Sequence, residues 1–168
     1  MFIWLTRCGV SLKAVRNGWV SAKLWNQAKA NFPIPCVDVI VPNRRGEVML
    51  GWRVIRPYVE VWALPGGRIR FGEDLTAAAD RILAVHGIKA RDFCLVGVFP
   101  VKFPSRFDVS ICLTTRHYSG KPIPDGVEFT RVGWFKTPPR GTGGNYRRMI
   151  AKWKRMRHMP NVMAFNRL

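Results

Sequence analysis

The sequence predicts an α/β fold, helices covering a mixed β-sheet, on three observations. Short runs of apolar and β-branched residues bounded by turn signals recur along the middle of the chain. One apolar-periodic helix follows a glycine pair at Gly66–Gly67, and a second helix closes the chain. Strands that outnumber helices in this order pack most simply as one sheet with helices on its faces.

Each element has a local reason. "SAKLWNQAKANF" reads as a short helix with Ser21 as N-cap and Leu24, Trp25 and Ala28 on one face. "PIP" at 33–35 stops it. "CVDVIVP" is a buried strand with Asp38 set into it, "NRRGE" a hairpin turn and "VMLGWRV" the next strand. "RPYVEVWALPGG" reads as a loop entering a strand that ends at the glycines. Glu73 or Asp74 starts a helix over about 74–86, and Gly87 stops it. Strands follow at "FCLVGVFPV", "DVSICLTTRHY" and "RVGWFK". "PPRGTGG" reads as a flexible linker into a helix over roughly 145–158. Met1–Leu5 is short and apolar, and Asn17–Gly18 suggest a turn. The expected organisation is a basic N-terminal extension over 1–34, a domain over 35–158 and a tail over 159–168.

A chain of 168 residues is long enough for one domain with a full core, and 48% hydrophobic content argues against disorder. No apolar run is long enough to span a bilayer, so a soluble, cytoplasmic protein with no membrane partner is expected. The first thirty residues, basic and without acid, loosely have the composition of an organelle transit peptide, which keeps organelle targeting open. Cys8, Cys36, Cys94 and Cys112 form no C-x-x-C pair and read as buried free thiols.

The net charge of +18 is unevenly placed. All ten acidic residues lie between Asp38 and Glu128, with 13 Lys and Arg, a net +3; the other 15 basic residues lie at the two ends without an acid. Such asymmetry points to a polyanionic partner. In "NYRRMIAKWKRMRHM", Tyr146, Met149, Ile150 and Trp153 fall on one helical face, and Arg147, Arg148, Lys152, Lys154 and Arg155 occupy much of the rest. The apolar stripe should dock on the domain and leave a basic ridge for RNA or single-stranded DNA, removable by truncation after Pro139. A membrane-surface helix is the alternative, though the tryptophan and methionines are more simply explained as core contacts, and a generally basic composition with solvated lysines and arginines is the plainer reading of the charge.

Glycine-x5-Glu-x7-Arg fits Gly67, Glu73 and Arg81, and the stretch before it carries N-x-x-G-E-x-x-L-G-x-R, "RP" and "PGGR". On these motifs, over about Pro35 to Trp153, the chain resembles the Nudix superfamily, nearest the GDP-mannose mannosyl hydrolases. The resemblance implies a Nudix-type α/β/α sandwich around a mixed β-sheet and a hydrolase acting on a nucleoside diphosphate derivative such as a nucleotide sugar. It implies Mg²⁺ or Mn²⁺, hard ions that take oxygen ligands, neutralising the diphosphate and activating water. Mapped onto this chain, the metal set is Gly67, Glu128 and His86, and the catalytic carboxylates are Glu73 and Glu128. Asp38, Arg53, Arg68, Arg81 and Asp108 are the substrate-binding candidates, arginine being suited to bidentate contact with phosphate oxygens. Arg81 also has a structural role open to it, as the partner of Glu73. Tyr58 or Trp62 could stack on a base.

The sequence departs from the family in the second half of the motif. The three further glutamates fall on Ile82, Val85 and His86, and the subgroup's base falls on Phe129. A helix absorbed into the core is the structural alternative. Three functions therefore compete: a hydrolase of weakened or lost activity, a Nudix-fold protein that binds nucleotide or RNA without catalysis, and a subunit of a nucleoprotein assembly. A homodimer is compatible with each.

Overall fold

The computed structural model describes residues 21–157. The expectations for Met1–Leu5, the turn at 17–18, Cys8 and His158 lie outside the described residues. The element order is α1 (Ala22–Asn31), β1 (Ile34–Ile40), β2 (Val48–Arg53), β3 (Val61–Ala63), β4 (Gly66–Arg68), α2 (Leu75–Ala84), β5 (Ile88–Phe103), β6 (Arg106–Gly120), β7 (Phe129–Phe135) and α3 (Gly144–Met156). It is an α/β sandwich, as the sequence predicts, with one refinement. The strands form two sheets: a mixed four-stranded one in the order β4-β1-β6-β5 and an antiparallel three-stranded one in the order β3-β2-β7.

Strand alternation builds two cores from one sheet. Successive strand residues point to opposite faces. Val37, Val39 and Val41 of the β1 segment and Leu113 of β6 pack with Ala78, Ala79, Ile82 and Leu83 of α2. The opposite face carries Ile40 and Cys112, which pack with Tyr146, Met149, Ile150, Trp153 and Met156 of α3 and with β2 and β7. β1 and β6 run parallel, with Cys36 opposite Ser110 and Asp38 opposite Cys112. Along the α3-side face, side chains change from apolar at Ile40 and Cys112 to polar at Asp38, Ser110 and Asp108. The layer cannot close over those groups, and a cleft opens there.

Several boundaries differ from the sequence reading for identifiable reasons. The glycine pair begins a strand instead of ending one: β3 belongs to the small sheet, and Leu64–Pro65 carry the chain across to β4, where Gly66 and Gly67 pair with Asp38 and Val37. β5 and β6 pair from Ile88–Gly120 to Phe103–Arg106 and are longer than predicted, because charged residues interrupt their alternation. Pro100 lies in β5, an edge strand, where a missing donor is tolerated. The predicted linker is ordered: Thr142 is buried and bridges Trp62, and Gly143 N–H donates to the Trp62 carbonyl at 3.2 Å. In α1, Ser21 caps the helix as expected, but Leu24 is exposed, and Trp25 and Ala28 face the cleft. Ile34 already belongs to β1. Cys36, Cys94 and Cys112 are free and buried.

Candidate functional site

The cleft has a volume of about 710 Å³. Its lining includes Asp38, Arg53, Gly67, Arg68, Arg81, His86, Asp108 and Glu128, so the fold brings together eight of the nine residues singled out for small-molecule chemistry. Glu73, the ninth, stands behind Arg81. Six arginines line the cleft (Arg53, Arg56, Arg68, Arg70, Arg81 and Arg106) against three carboxylates, those of Asp38, Asp108 and Glu128. The lining is therefore cationic.

Asp38 reaches this site because β4 offers no side chain where the carboxylate lies. A Cβ on Gly66 would come within 2.0 Å of Asp38 Oδ1. Ser110 Oγ donates to Asp38 Oδ2 from the neighbouring strand. Burial pushes the Asp38 carboxyl up to about 6, while the Ser110 hydrogen bond and the Arg53 charge pull the other way. Asp108, 5% exposed, takes two hydrogen bonds on Oδ2 from Arg106, at 2.6 and 3.1 Å. Its Oδ1 is buried without a partner. Arg106 in turn lies over the Phe103 ring, 5.0 Å from its centroid. Cys36 sits beside these acids, and burial first, then the charges of Asp108 and Asp38, push its thiol up to about 12; it is not a nucleophile near neutrality.

The half of the motif that carries Glu73 and Arg81 is a structural clasp. Arg81 Nε and Nη2 donate to the two Glu73 oxygens at 2.6 and 2.7 Å, and Nη2 also reaches the Arg68 carbonyl at 2.9 Å. The Arg70 amide donates to Glu73 Oε2 at 2.9 Å. These contacts, the Arg81 hydrogen bonds foremost, hold the Glu73 carboxyl below its ordinary range. They tie the loop after β4 to α2, whose N-cap is Asp74, accepting from Ala77 N at 2.7 Å. Glu128 ion-pairs with Arg53, which also donates to the carbonyls of Ile55 and Arg56. Asp125 Oδ1 accepts from the amides of Val127, Glu128 and Phe129 and so sets the loop that carries Glu128.

The side chains expected to serve Mg²⁺ or Mn²⁺ have other engagements. Glu73 is held by Arg81 and a backbone amide, and Glu128 by Arg53. His86 is 3% exposed and stacked on Phe129 at 4.7 Å between centroids, and burial lowers its basicity. No group of three or more His, Cys, Asp or Glu side chains among the described residues is placed to hold a metal ion. The donors do not fit the ion that the resemblance implies.

Phe129 is fully buried and packs on Gly51, where a Cβ would come within 1.9 Å of its ring. Of the two stacking candidates, Tyr58 lines the cleft, where it accepts from Asn145 Nδ2 at 3.0 Å; Trp62 packs against Phe135 and Trp52 instead. The sequence reading missed Trp25, Arg106, Ser110 and Tyr146. The alternation of 106, 108 and 110 in "SRFDVS" was a usable signal for two of them. Trp25 had none, because the Arg68 guanidinium that lies 4.0 Å from its ring centroid is far away in the chain.

The predicted basic ridge on α3 is divided. Arg147 donates to the carbonyls of Thr142, Pro138 and Pro139, and Lys154 to that of Lys136 at 2.6 Å. Lys152 lies over the Phe99 ring. Arg148 and Arg155 are exposed.

A Nudix-type sandwich with an arginine-lined cleft is the class that fold and site define. The NUDIX domain family model matches residues 33–137, and the chain belongs to that family. Among solved structures it is similar to a MutT NUDIX hydrolase from Burkholderia pseudomallei, at 22% identity and a TM-score of 0.65, covering 71% of this chain and 97% of that one. It is similar to a NUDIX hydrolase from Nitrosomonas europaea, at 14% identity and a TM-score of 0.63, covering 74% and 90%. The NUDIX domain of Shewanella oneidensis NrtR, solved in complex with ADP ribose, matches at 18% identity and a TM-score of 0.58, covering 74% and 88%. At these identities the likeness speaks for the fold.

Proposed function

We propose that the cleft binds a nucleoside diphosphate derivative, of the ADP-ribose or nucleotide-sugar kind, on a Nudix frame whose metal-dependent hydrolysis is weak or lost. The observation that carries this reading is the convergence of six arginines on one cleft whose lining holds half as many carboxylates. Guanidinium groups match phosphate oxygens bidentately, and a diphosphate supplies the missing negative charge. In this reading Arg53 and Arg68 contact the diphosphate. The unpartnered Asp108 Oδ1 accepts an N–H from the base or a hydroxyl from a sugar, since a buried acceptor left unpaired is costly. Tyr58 and Trp25 supply aromatic faces at the rim. The ADP-ribose complex of the NrtR NUDIX domain supports this ligand class. GDP-mannose, suggested by the "PGGR" and "RP" motifs, is a second candidate of the same chemistry.

Hydrolysis is the second reading, and family membership favours it. Against it stand Ile82, Val85 and His86 at the positions of the family's helix carboxylates. Calorimetric titration with ADP-ribose and GDP-mannose in chelator should show binding without added metal, and Arg53→Ala and Asp108→Asn should each weaken it. No binding of either ligand would sink the proposal. Release of product with Mg²⁺ or Mn²⁺ at about 1 s⁻¹ or faster, the lower end of ordinary turnover, would make the second reading the correct one.

A further inference from the structure

The helix α1 is held differently from the other two. None of its residues is buried, and Trp25, Ala28 and Lys29, spaced to share one face, are half-buried while the rest are exposed. By contrast α2 anchors itself with Ile82 and Leu83, and α3 with Met149, Ile150 and Trp153. A helix of 10 residues is marginal in water by itself, so its contacts decide whether it stays in place. Its half-buried face looks into the cleft. Trp25 and Ala28 line it, and the Arg68 guanidinium lies over the Trp25 ring, 4.0 Å from the centroid. Asn31, Phe32 and Pro33, which join α1 to β1, are all exposed, with Phe32 in extended backbone. The family match begins at residue 33, so α1 borders the cleft from outside the matched domain.

We propose that α1 is a cover on the cleft, hinged at residues 31–33, which docks and undocks in the free chain and is drawn down by ligand through Trp25. This rests on the diphosphate reading of the cleft. In that reading Arg68 contacts the diphosphate, so the ring that holds α1 and the ligand meet at one guanidinium. A planar guanidinium offers its face to an aromatic ring and its in-plane N–H groups to phosphate oxygens, so the two contacts are compatible. Each contact orders the Arg68 side chain, and the second to form loses less entropy. A ligand in the cleft also gives the Trp25 ring a surface to pack on. Trp25 is therefore a positioning residue, acting on the ligand through Arg68 and through the helix it holds.

The test is amide hydrogen exchange of the full chain, free and saturated with ADP-ribose, with saturation established by calorimetry in chelator. In the free chain the amides of residues 25–32 should exchange at least about 100-fold faster than those of Ile82 and Leu83. Saturation should slow them by about tenfold or more, which requires the ligand to favour the docked form by at least that factor. Trp25→Ala should abolish the slowing and weaken binding by roughly 2- to 30-fold, the span of one cation–ring contact. Its unfolding temperature should stay near that of the parent, since α1 buries no side chain. Trp25→Phe keeps a ring face and should restore much of both effects. Ligand bound with exchange of α1 unchanged would overturn the cover and leave the diphosphate reading standing. So would an α1 as protected as α2 in the free chain, or full slowing in Trp25→Ala. No binding of ADP-ribose or GDP-mannose by calorimetry would sink the diphosphate reading, and the cover with it.

Discussion

Asp38 shows how one side chain couples burial to ligand charge. Its carboxyl lies between Gly66 and Ser110, close enough to Arg53 and Asp108 to feel both charges, and burial raises it to about 6. The raised value means that the folded chain binds the proton more tightly than the unfolded one. The resulting stability is fully present below the ordinary carboxyl range and is lost as pH rises through about 6. Relative to Asp38→Asn, the parent should gain on the order of 2 kcal/mol in urea unfolding between about pH 7 and about pH 4. A difference that stays flat over that window would show that the carboxyl is not shifted. The same proton acts on the ligand. An ionised Asp38 opposes a diphosphate, so titrations with ADP-ribose should tighten as pH falls through about 6, and Asp38→Asn should flatten that trend. Gly51 is a second residue whose identity is imposed by contact. An added methyl would meet the Phe129 ring at 1.9 Å, so Gly51→Ala should cost about 3 kcal/mol or more in chemical denaturation. Phe129→Leu should recover part of it; no recovery would place the strain elsewhere.

The α2 helix is where sequence and structure inform each other most. The spacing from Gly67 to Glu73 to Arg81 locates both the helix and its clasp, because the ion pair is local and its partners are fixed by the turn. What the apolar replacements do was not legible. Ile82 and Val85 look alike in sequence, yet Ile82 is 5% exposed, inside the α2-side core, while Val85 is 55% exposed at the cleft. Absorption into the core explains the first and leaves the second without a packing reason. Periodicity assigns a face but cannot say where that face leaves the sheet edge. The two-sheet division was hidden for a related reason. The chain changes sheets within Leu64–Pro65, too short a step to break a hydrophobic pattern. Substitution should separate the positions. Ile82→Glu buries an unpaired charge and should destabilise by several kcal/mol. Val85→Glu should stay within about 0.5 kcal/mol of the parent, and equal effects would mean that α2 is rotated from this arrangement. Arg81→Lys cannot hold both Glu73 oxygens and the Arg68 carbonyl together, and should cost about 1–2 kcal/mol in thermal unfolding.

At the scale of the molecule, the terminal helix decides what can be removed. The sequence places Tyr146, Met149, Ile150 and Trp153 on one face, and a stripe of that kind could rest on a finished domain and be cut away after Pro139. The structure gives it another role. Those four side chains and Met156 are buried in the core that also holds Val48, Leu50, Cys112 and Phe129, so without α3 the small sheet alone is left to cover that face of the larger one. The family match ends at residue 137, but the hydrophobic core does not. Five large side chains, at about 1.5–3 kcal/mol each for full burial, contribute roughly as much as the whole stability of a domain. A chain ending at Pro139 should therefore fail to fold cooperatively, with no sharp thermal transition in circular dichroism. Trp153→Ala alone should cost about 3–5 kcal/mol. A truncated chain that unfolds as sharply as the parent would mean that α3 rests on the domain as an appendage. Its basic residues would then have to be understood apart from the fold. If truncation unfolds the chain, the charge on α3 and the core beneath it cannot be separated by deletion, and substitutions of its exposed residues, Arg148→Glu and Arg155→Glu, are the way to test that charge.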